Sequence, residues 1–280
     1  MHEYIKKWIP PAVRDLKNRF FSLEKVLYYY DSYPSWDEAQ KAADSCGGGY
    51  ERPEILKKVI AATNSVRQNK AAYEQDGVAF LEKKINYELL CSLYYVHLKE
   101  SRLHVADFGG SLGSIFFRIR EETRGLNLDW SVIEQKHFTE YGRRCIPEIS
   151  FYDTLDECLE QKDCSVLLLS SVLGYLPDPY DMLREFLDKK IRYVVIDETA
   201  FWKGKEQYML QHVPESIYQA VYPVYLFELK RFRHFIRKMK YRIIFEWDYD
   251  GSIPVKRRAG FQETADKGFL LEACNERGKQ

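Results

Sequence analysis

The spacing of hydrophobic positions changes character near residue 100. Before it, apolar residues recur at helical intervals between breaks at Pro10-Pro11, Tyr33-Pro34 and Cys46-Gly47-Gly48-Gly49. Ser35 suits a helix N-cap, and Glu38 three positions on completes a capping box for a helix over 36–43. Pro53 suits the first turn of a second helix ending near Asn64, and Asp76-Gly77 is a turn signal before a third helix over 78–98. After residue 100, short β-rich runs at 104–108, 130–134, 149–152, 165–170, 193–197, 241–249 and 268–273 alternate with helical stretches. The first five are spaced too widely for hairpins, which predicts parallel strands with helices on both faces. The last two flank a loop at 251–267 and suit an antiparallel pair at one edge. The expected fold is thus α/β: a Rossmann-like, doubly wound, mostly parallel seven-stranded sheet with the last strand antiparallel. An N-terminal helical region over 1–100 precedes the domain at 101–280. A Tyr- and Pro-rich segment at about 200–229 interrupts the alternation and is expected to cap the carboxyl edge.

Composition narrows the function classes. At roughly 150 residues per domain, 280 residues make one large or two small domains. The chain is 45% hydrophobic and 30% charged, ordinary for a globular protein and unlike a disordered one. Forty-two Lys and Arg balance forty-two Asp and Glu, which disfavours a nucleic-acid binder. The 21 Tyr, 16 Phe and 5 Trp serve mostly as packing, though tyrosines also line pockets with one edge wet. Six cysteines stand at 46, 91, 145, 158, 164 and 274 without a C-x-x-C pair or a histidine at ligand spacing, so no metal is expected. Scattered thiols of this kind imply a cytoplasmic protein. The start of the chain lacks a secretory h-region, and the longest apolar stretch, at 166–176, is too short to span a bilayer.

The segment that carries chemistry is Asp107-Phe108-Gly109-Gly110-Ser111-Leu112-Gly113, where an apolar strand runs into a glycine-rich turn before a helix. Glycines let a backbone bend sharply and approach a ligand. The turn falls at the carboxyl end of the first parallel strand, where α/β sheets bind ligands. The second strand ends in Glu134, 21 residues after Gly113, where a carboxylate can accept hydrogen bonds from ribose hydroxyls. The glycine spacing is not the G-x-G-x-x-G of a dinucleotide site, and an acid at 107 sits poorly beside a pyrophosphate. It suits a cationic amino-acid moiety, which favours S-adenosylmethionine over NAD.

The Asp-x-Gly-x-x-x-Gly turn followed by a strand-end acid resembles class I S-adenosylmethionine-dependent methyltransferases. More narrowly, the chain resembles a bacterial family of methyltransferases whose genes often lie among those for surface polysaccharides. The matching stretches are Tyr33-Pro34-Ser35-Trp36-Asp37-Glu38-Ala39, Glu74-Gln75-Asp76-Gly77, 105–113, Val132-Ile133-Glu134-Gln135, 167–179, 196–201 and 211–227, most of 33–230. The resemblance implies that Asp107, Gly109, Gly110 and Gly113 cradle the methionine part of the cofactor. It implies that Glu134 holds the ribose, that Gln135, Tyr152 and Asp153 border the adenine, and that Ser170 and Ser171 line the floor near the sulfonium. One departure is Ser111 in place of the middle glycine of the common Gly-x-Gly-x-Gly; its side chain either crowds the cofactor or bonds its carboxylate.

Methyl transfer chiefly needs proximity and alignment, with a base where the nucleophile holds a proton. The candidates follow the fifth strand: His212 as base, Asp197 and Glu198 to orient a polyol, and Thr199, Gln211, Tyr218 and Tyr222 as acceptor contacts. Each also has a plain structural reading, as a cap, a packed ring or a satisfied loop residue. The segment 230–242 carries seven Lys or Arg in thirteen positions and reads as a basic helix face packed on the sheet. The functional alternative is attraction to a phosphorylated acceptor or to anionic lipid at the inner membrane face, and the N-terminal aromatics Tyr4–Trp8, Phe20-Phe21 and Tyr28–Tyr30 would also suit a membrane. The expected activity is methyl transfer to a small polar acceptor, by family analogy a sugar of a surface glycan. The alternatives are a non-catalytic binding or scaffold protein on the same fold, and a nucleotide-sugar or NAD-dependent enzyme.

Overall fold

The computed structural model describes residues 27–46, 53–215, 217, 220–249 and 252–274. The elements before the glycine turn are β1 (Tyr28–Tyr33), α1 (Trp36–Ser45), α2 (Pro53–Arg67), β2 (Tyr73–Gln75), β3 (Val78–Phe80) and α3 (Tyr87–Lys99). Then follow β4 (Leu103–Phe108), α4 (Ser114–Ile119), β5 (Leu128–Ile133), α5 (Lys136–Cys145), β6 (Ser150–Tyr152), α6 (Leu155–Gln161) and β7 (Val166–Ser170). A short 3-10 turn (Leu173–Tyr175) leads to α7 (Pro179–Asp188), β8 (Tyr193–Phe201), β9 (Gln207–Val213) and β10 (Ala220–Leu226). The chain continues as α8 (Leu229–Lys238), β11 (Tyr241–Tyr249), β12 (Val255–Arg257), β13 (Gly260–Gln262) and β14 (Ala265–Ala273).

The main sheet has seven strands in the order β11-β14-β8-β7-β4-β5-β6. Strands β4 to β8 pair in parallel, and β14 runs antiparallel to both β8 and β11. This is the Rossmann-like doubly wound sheet, with the last strand reversed. Its central strands are continuous apolar runs because helices cover both faces. In β7, Val166 and Leu168 enter one core while Leu167 and Leu169 enter the other, and β8 alternates in the same way. The chain winds outward from β4 to β6, then returns to β7 on the other side of β4. The crevice outside the carboxyl ends of β4 and β7 is therefore the topological switch point, where such sheets bind ligands.

A second sheet, of order β10-β9-β1-β12-β13, is where the chain departs from the sequence expectation. The segment expected to cap the carboxyl edge forms β9 and β10, an antiparallel pair in register from Gln207↔Leu226 to Val213↔Ala220. The region expected to be mainly helical supplies β1, which pairs with β9 and β12 and so ties the start of the described chain to its later half. It also supplies the β2–β3 hairpin, so the helix expected over 78–98 is a strand followed by α3. The α3 N-cap, Asn86, accepts from Leu89 N at 2.9 Å while its Nδ2 donates to Asp197 Oδ2 at 2.8 Å, which fixes the helix to the end of the main sheet. The α1 cap forms as expected, with Glu38 N donating to Ser35 Oγ at 3.3 Å. The aromatics at 4–8 and 20–21 lie outside the described residues.

Candidate active site

A cavity of about 920 Å³ lies between the two sheets. Its floor is the carboxyl edge of β4, β5, β7 and β8, and its far wall carries Tyr29 from β1, Gln211 and Val213 from β9 and Tyr222 from β10. That volume is at the upper end for a single drug-sized ligand and leaves room for a second small molecule.

Gly109, Gly110 and Ser111 of the glycine turn line the floor. Gly109 has φ +76°, and a Cβ there would lie 2.6 Å from Val172 Cγ2. A Cβ on Gly110 would lie 2.4 Å from Asp107 Oδ2, so the turn needs glycine for the acid to stand where it does. Gly113 does not line the cavity: it takes φ +87° as the N-cap of α4, and a Cβ would strike Ile149. Ser111 lines the cavity with φ +56°, and its Oγ is buried without a hydrogen-bond partner. Asp107 is 1% exposed, and Trp130 Nε1 donates to its Oδ2 at 3.1 Å. Burial, and less so the charge of Glu134, push its pKa up to about 7 against the indole's opposing effect.

Glu134 lines the cavity and accepts from Gln135 N at 2.8 Å and Ser111 N at 3.2 Å, which ties the end of β5 to the glycine turn. Burial raises its pKa against those two bonds. Gln135 and Asp153 also line the wall; Asp153 is held by Thr139 Oγ1 and by Arg143 at 3.1 Å. Tyr152 does not reach the cavity: its ring is in the core, and its carbonyl accepts from Glu134 N at 3.2 Å. Ser170 and Ser171 line the floor, donating to Asp197 Oδ2 at 3.3 Å and Glu198 Oε2 at 3.0 Å.

On the acceptor side the sequence expectations need three corrections. His212 does not line the cavity. Side chains alternate along β9, so Gln211 and Val213 face inward while His212 faces away and stacks on Tyr28, with centroids 4.8 Å apart. Asp197 is buried under the edge, where it accepts from Asn86, from Trp247 Nε1 at 3.1 Å and from Ser170. Thr199 is buried too, and its hydroxyl donates to the Asp197 carbonyl at 3.3 Å. Glu198, Gln211 and Tyr222 do line the cavity, and Tyr175 Oη donates to Gln211 Oε1. Tyr218 lies outside the described residues.

Several wall residues were not singled out by sequence as site residues: Tyr29, Arg118, Tyr249 and Asp266, with Glu74 and Asp76 from the β2–β3 hairpin. Glu74 and Asp76 fall in a stretch that carried the resemblance, but Tyr29 and Asp266 belong to no motif. Glu74 accepts from Gly77 N at 2.8 Å and from Ser114 Oγ. Of the nine described non-glycine residues with positive φ, Asp76, Ser111, Ser171 and Glu198 line this one cavity. Such strain concentrates where the surrounding structure holds a functional side chain in place.

Away from the cavity, His104, Cys158 and Cys164 meet, their ligand atoms within 4.8 Å of one another. The basic helix α8 buries Phe232 and Ile236 and pairs Arg231 with Glu206 and Arg233 with Glu246. The packed reading of that helix therefore fits its contacts. No helix among the described residues is long and apolar enough to cross a membrane.

No family profile matches the chain, and no curated protein sequence matches it. Among solved structures, it is similar to an S-adenosylmethionine-dependent methyltransferase from Methanosarcina mazei, with 12% identity, a TM-score of 0.46, and coverage of 63% of this chain and 95% of that one. It is also similar to the N-terminal domain of EvdMO1, determined in the presence of S-adenosylhomocysteine and D-fucose (12%, TM-score 0.46, 80% and 97% covered). A third is the 1,6-didemethyltoxoflavin N1-methyltransferase of Burkholderia thailandensis with bound S-adenosylhomocysteine (11%, TM-score 0.41, 81% and 93% covered). At these scores the likeness says nothing about ligand or reaction.

Proposed function

We propose that the chain binds S-adenosylmethionine at the glycine turn and transfers its methyl group to a small polar acceptor held against the second sheet. The observation that carries this reading is the pair of acids at successive strand ends, Asp107 and Glu134, on either side of a turn whose Gly110 leaves no space for a Cβ. A buried carboxylate at that turn opposes a pyrophosphate and favours a cationic amino-acid moiety, which argues against NAD. The residues fit the group in two further respects. Ser111 Oγ is a buried hydroxyl without a partner in the cavity-lining turn, able to donate to a carboxylate. The Glu134 oxygens, each with one backbone donor, retain lone pairs for ribose hydroxyls.

The bound cofactor supplies an electrophilic methyl on a sulfonium. The chain's own residues hold, align and deprotonate. Transfer of that methyl would leave the acceptor's proton to be taken up by a group of this chain. Glu198 is the carboxylate placed to receive that proton: it lines the cavity, takes a hydrogen bond from Ser171 and is held at φ +47°. This moves the base from His212 to the end of β8. A sugar acceptor in surface-glycan assembly, in the cytoplasm, is the setting the sequence resemblance implies, and the hydroxyls of such an acceptor suit a wall of carboxylates and tyrosines.

Titration calorimetry with S-adenosylmethionine, S-adenosylhomocysteine and NAD tests the cofactor reading. Micromolar binding of the first two and none of NAD is the expected result. Binding of NAD alone would replace it with a dinucleotide enzyme, and cofactor binding without turnover over a broad acceptor panel would favour the scaffold reading.

A further inference from the structure

The cavity wall away from the glycine turn has a strong charge bias. Among the described residues lining the whole cavity, eight carry a carboxylate and one, Arg118, a guanidinium. That guanidinium is engaged: it lies 4.6 Å over the Tyr73 ring, its Nη2 donates to Gln75 Oε1 at 3.3 Å and the Glu74 carbonyl at 3.4 Å, and its charge offsets part of the burial of Asp76 but does not act on Asp266. Asp107 and Glu134 belong to the cofactor side. Asp76, Glu198 and Asp266 form the other group, brought together by the β2–β3 turn, the end of β8 and the start of β14.

Asp266 shows that this group lacks something. It is 9% exposed, it lines the cavity, and its Oδ1 has no hydrogen-bond partner. Burial, then the charge of Glu198, raise its pKa, so the two acids sense each other. A buried carboxylate oxygen without a donor is costly, and a second acid nearby adds repulsion. Ser171 and Tyr249 donate to Glu198 but bring no positive charge. A bare metal ion is a poor match. Among the described residues, the trio of His, Cys, Asp or Glu whose ligand atoms come within 4.8 Å is His104, Cys158 and Cys164, not these acids. A larger cation with several N–H donors suits the wider spacing, and a protonated amine carries three donors and the missing charge.

We infer that this lobe recognises an amine-bearing acceptor through its ammonium group, with Asp266 as the carboxylate that receives it and Glu198 adding negative charge beside it. The inference deepens the methyl-transfer reading and rests on it for the word acceptor. The same charge bias disfavours phosphorylated acceptors, since each carboxylate that favours an ammonium repels a phosphate. Arg118 Nε, buried without a partner, is the feature that would favour an anion, so the test includes one.

The experiment uses three hexoses of matched shape: glucosamine, glucose and glucose 6-phosphate. Binding to the whole protein is measured by saturation-transfer NMR and calorimetry, with and without saturating S-adenosylhomocysteine. Glucosamine is expected to bind at least about tenfold more tightly than glucose, with glucose 6-phosphate weakest. Asp266→Asn keeps the shape and removes the charge, and should cancel that preference while leaving S-adenosylhomocysteine affinity within twofold. Glu198→Gln is the second variant should Asp266→Asn fail to fold. Equal or tighter binding of glucose or its phosphate, no amine binding at 10 mM, or a preference unchanged in both variants overturns the inference. Failure of S-adenosylhomocysteine to bind, with the amine preference intact, would instead remove the cofactor reading and leave the cation lobe standing.

Discussion

Trp130 Nε1 donates to Asp107 Oδ2 at 3.1 Å, and both residues are almost wholly buried. The bond joins neighbouring parallel strands, β4 and β5, and points the carboxylate at the turn where Gly110 leaves it space. Asp107→Asn preserves the shape and removes the charge. Its affinity for S-adenosylmethionine should fall about 10- to 100-fold, the range for a hydrogen bond to a charged group, with the circular dichroism spectrum unchanged. Unchanged affinity by calorimetry in the folded variant would remove Asp107 from the cofactor site.

Gly110→Ala tests the same turn from the other side. The new Cβ would lie 2.4 Å from Asp107 Oδ2, so the acid or the turn must move. Cofactor binding should be lost, and the midpoint of thermal unfolding should drop by several degrees as a buried acid is displaced. A variant that binds normally would show that the turn relaxes without cost.

Much of this was legible in the sequence, for identifiable reasons. The strands β4, β5, β7 and β8 are apolar runs buried on both faces, and Asp107 and Glu134 mark where two of them end. The second sheet was not legible. β1 is Tyr28-Tyr29-Tyr30-Asp31-Ser32-Tyr33, without period-2 alternation of apolar and polar residues, and it acquires its strand from β9, some 180 residues later. β2 and β3 are three residues each, too short to compete with the helical spacing that follows them. Without β9 as a strand, nothing said that Gln211 would face the cavity and His212 its outside. Asp266 carries no motif; its place follows only from the pairing of β14 with β8.

His212→Ala follows from that strand parity. Loss of the stack on Tyr28 should cost about 1 kcal/mol of stability, while cofactor affinity and turnover stay within twofold. A large fall in turnover at constant stability would return His212 to a catalytic role.

Stability should fall as pH rises through the window set by the buried acids. Asp107 and Asp266 have pKa values pushed up to about 7, against about 3.9 in an unfolded chain. Between about pH 4 and 7 the folded state keeps protons that the unfolded state releases, so stability decreases with increasing pH. Asp197, also raised by burial, acts in the same direction. His104 and His212, held below their ordinary value by burial, oppose the trend below about pH 6.5 but are fewer. Asp129 and Asp153 are held low and contribute changes only below about pH 4. The ligand-free protein should therefore melt higher at pH 5.5 than at pH 8, as followed by calorimetry. Added S-adenosylmethionine, whose positive charge favours ionised Asp107, should stabilise more at pH 8. The opposite order would mean that Asp107 is not beside the cation.

His104, Cys158 and Cys164 make the last test. Cys158 and Cys164 sulfurs lie 3.8 Å apart, and Cys164 Sγ lies 3.7 Å from His104 Nδ1, while His104 Nε2 contacts Ser131 Oγ at 2.9 Å. Sequence spacing missed the histidine because it lies 54 residues before Cys158 and reaches it only through the fold. Structural zinc sites are closed by four protein ligands, and catalytic ones keep an open position on a substrate cavity. Among the described residues this cluster has three donors and does not line the cavity, so as described it meets neither condition. The protein purified without chelator should carry well under one equivalent of zinc by emission spectrometry. Half-buried Cys164 should react with a thiol reagent in the native state faster than Cys158, which is 0% exposed. One equivalent of zinc, lost in Cys158→Ala with a large fall in melting temperature, would establish a metal centre instead.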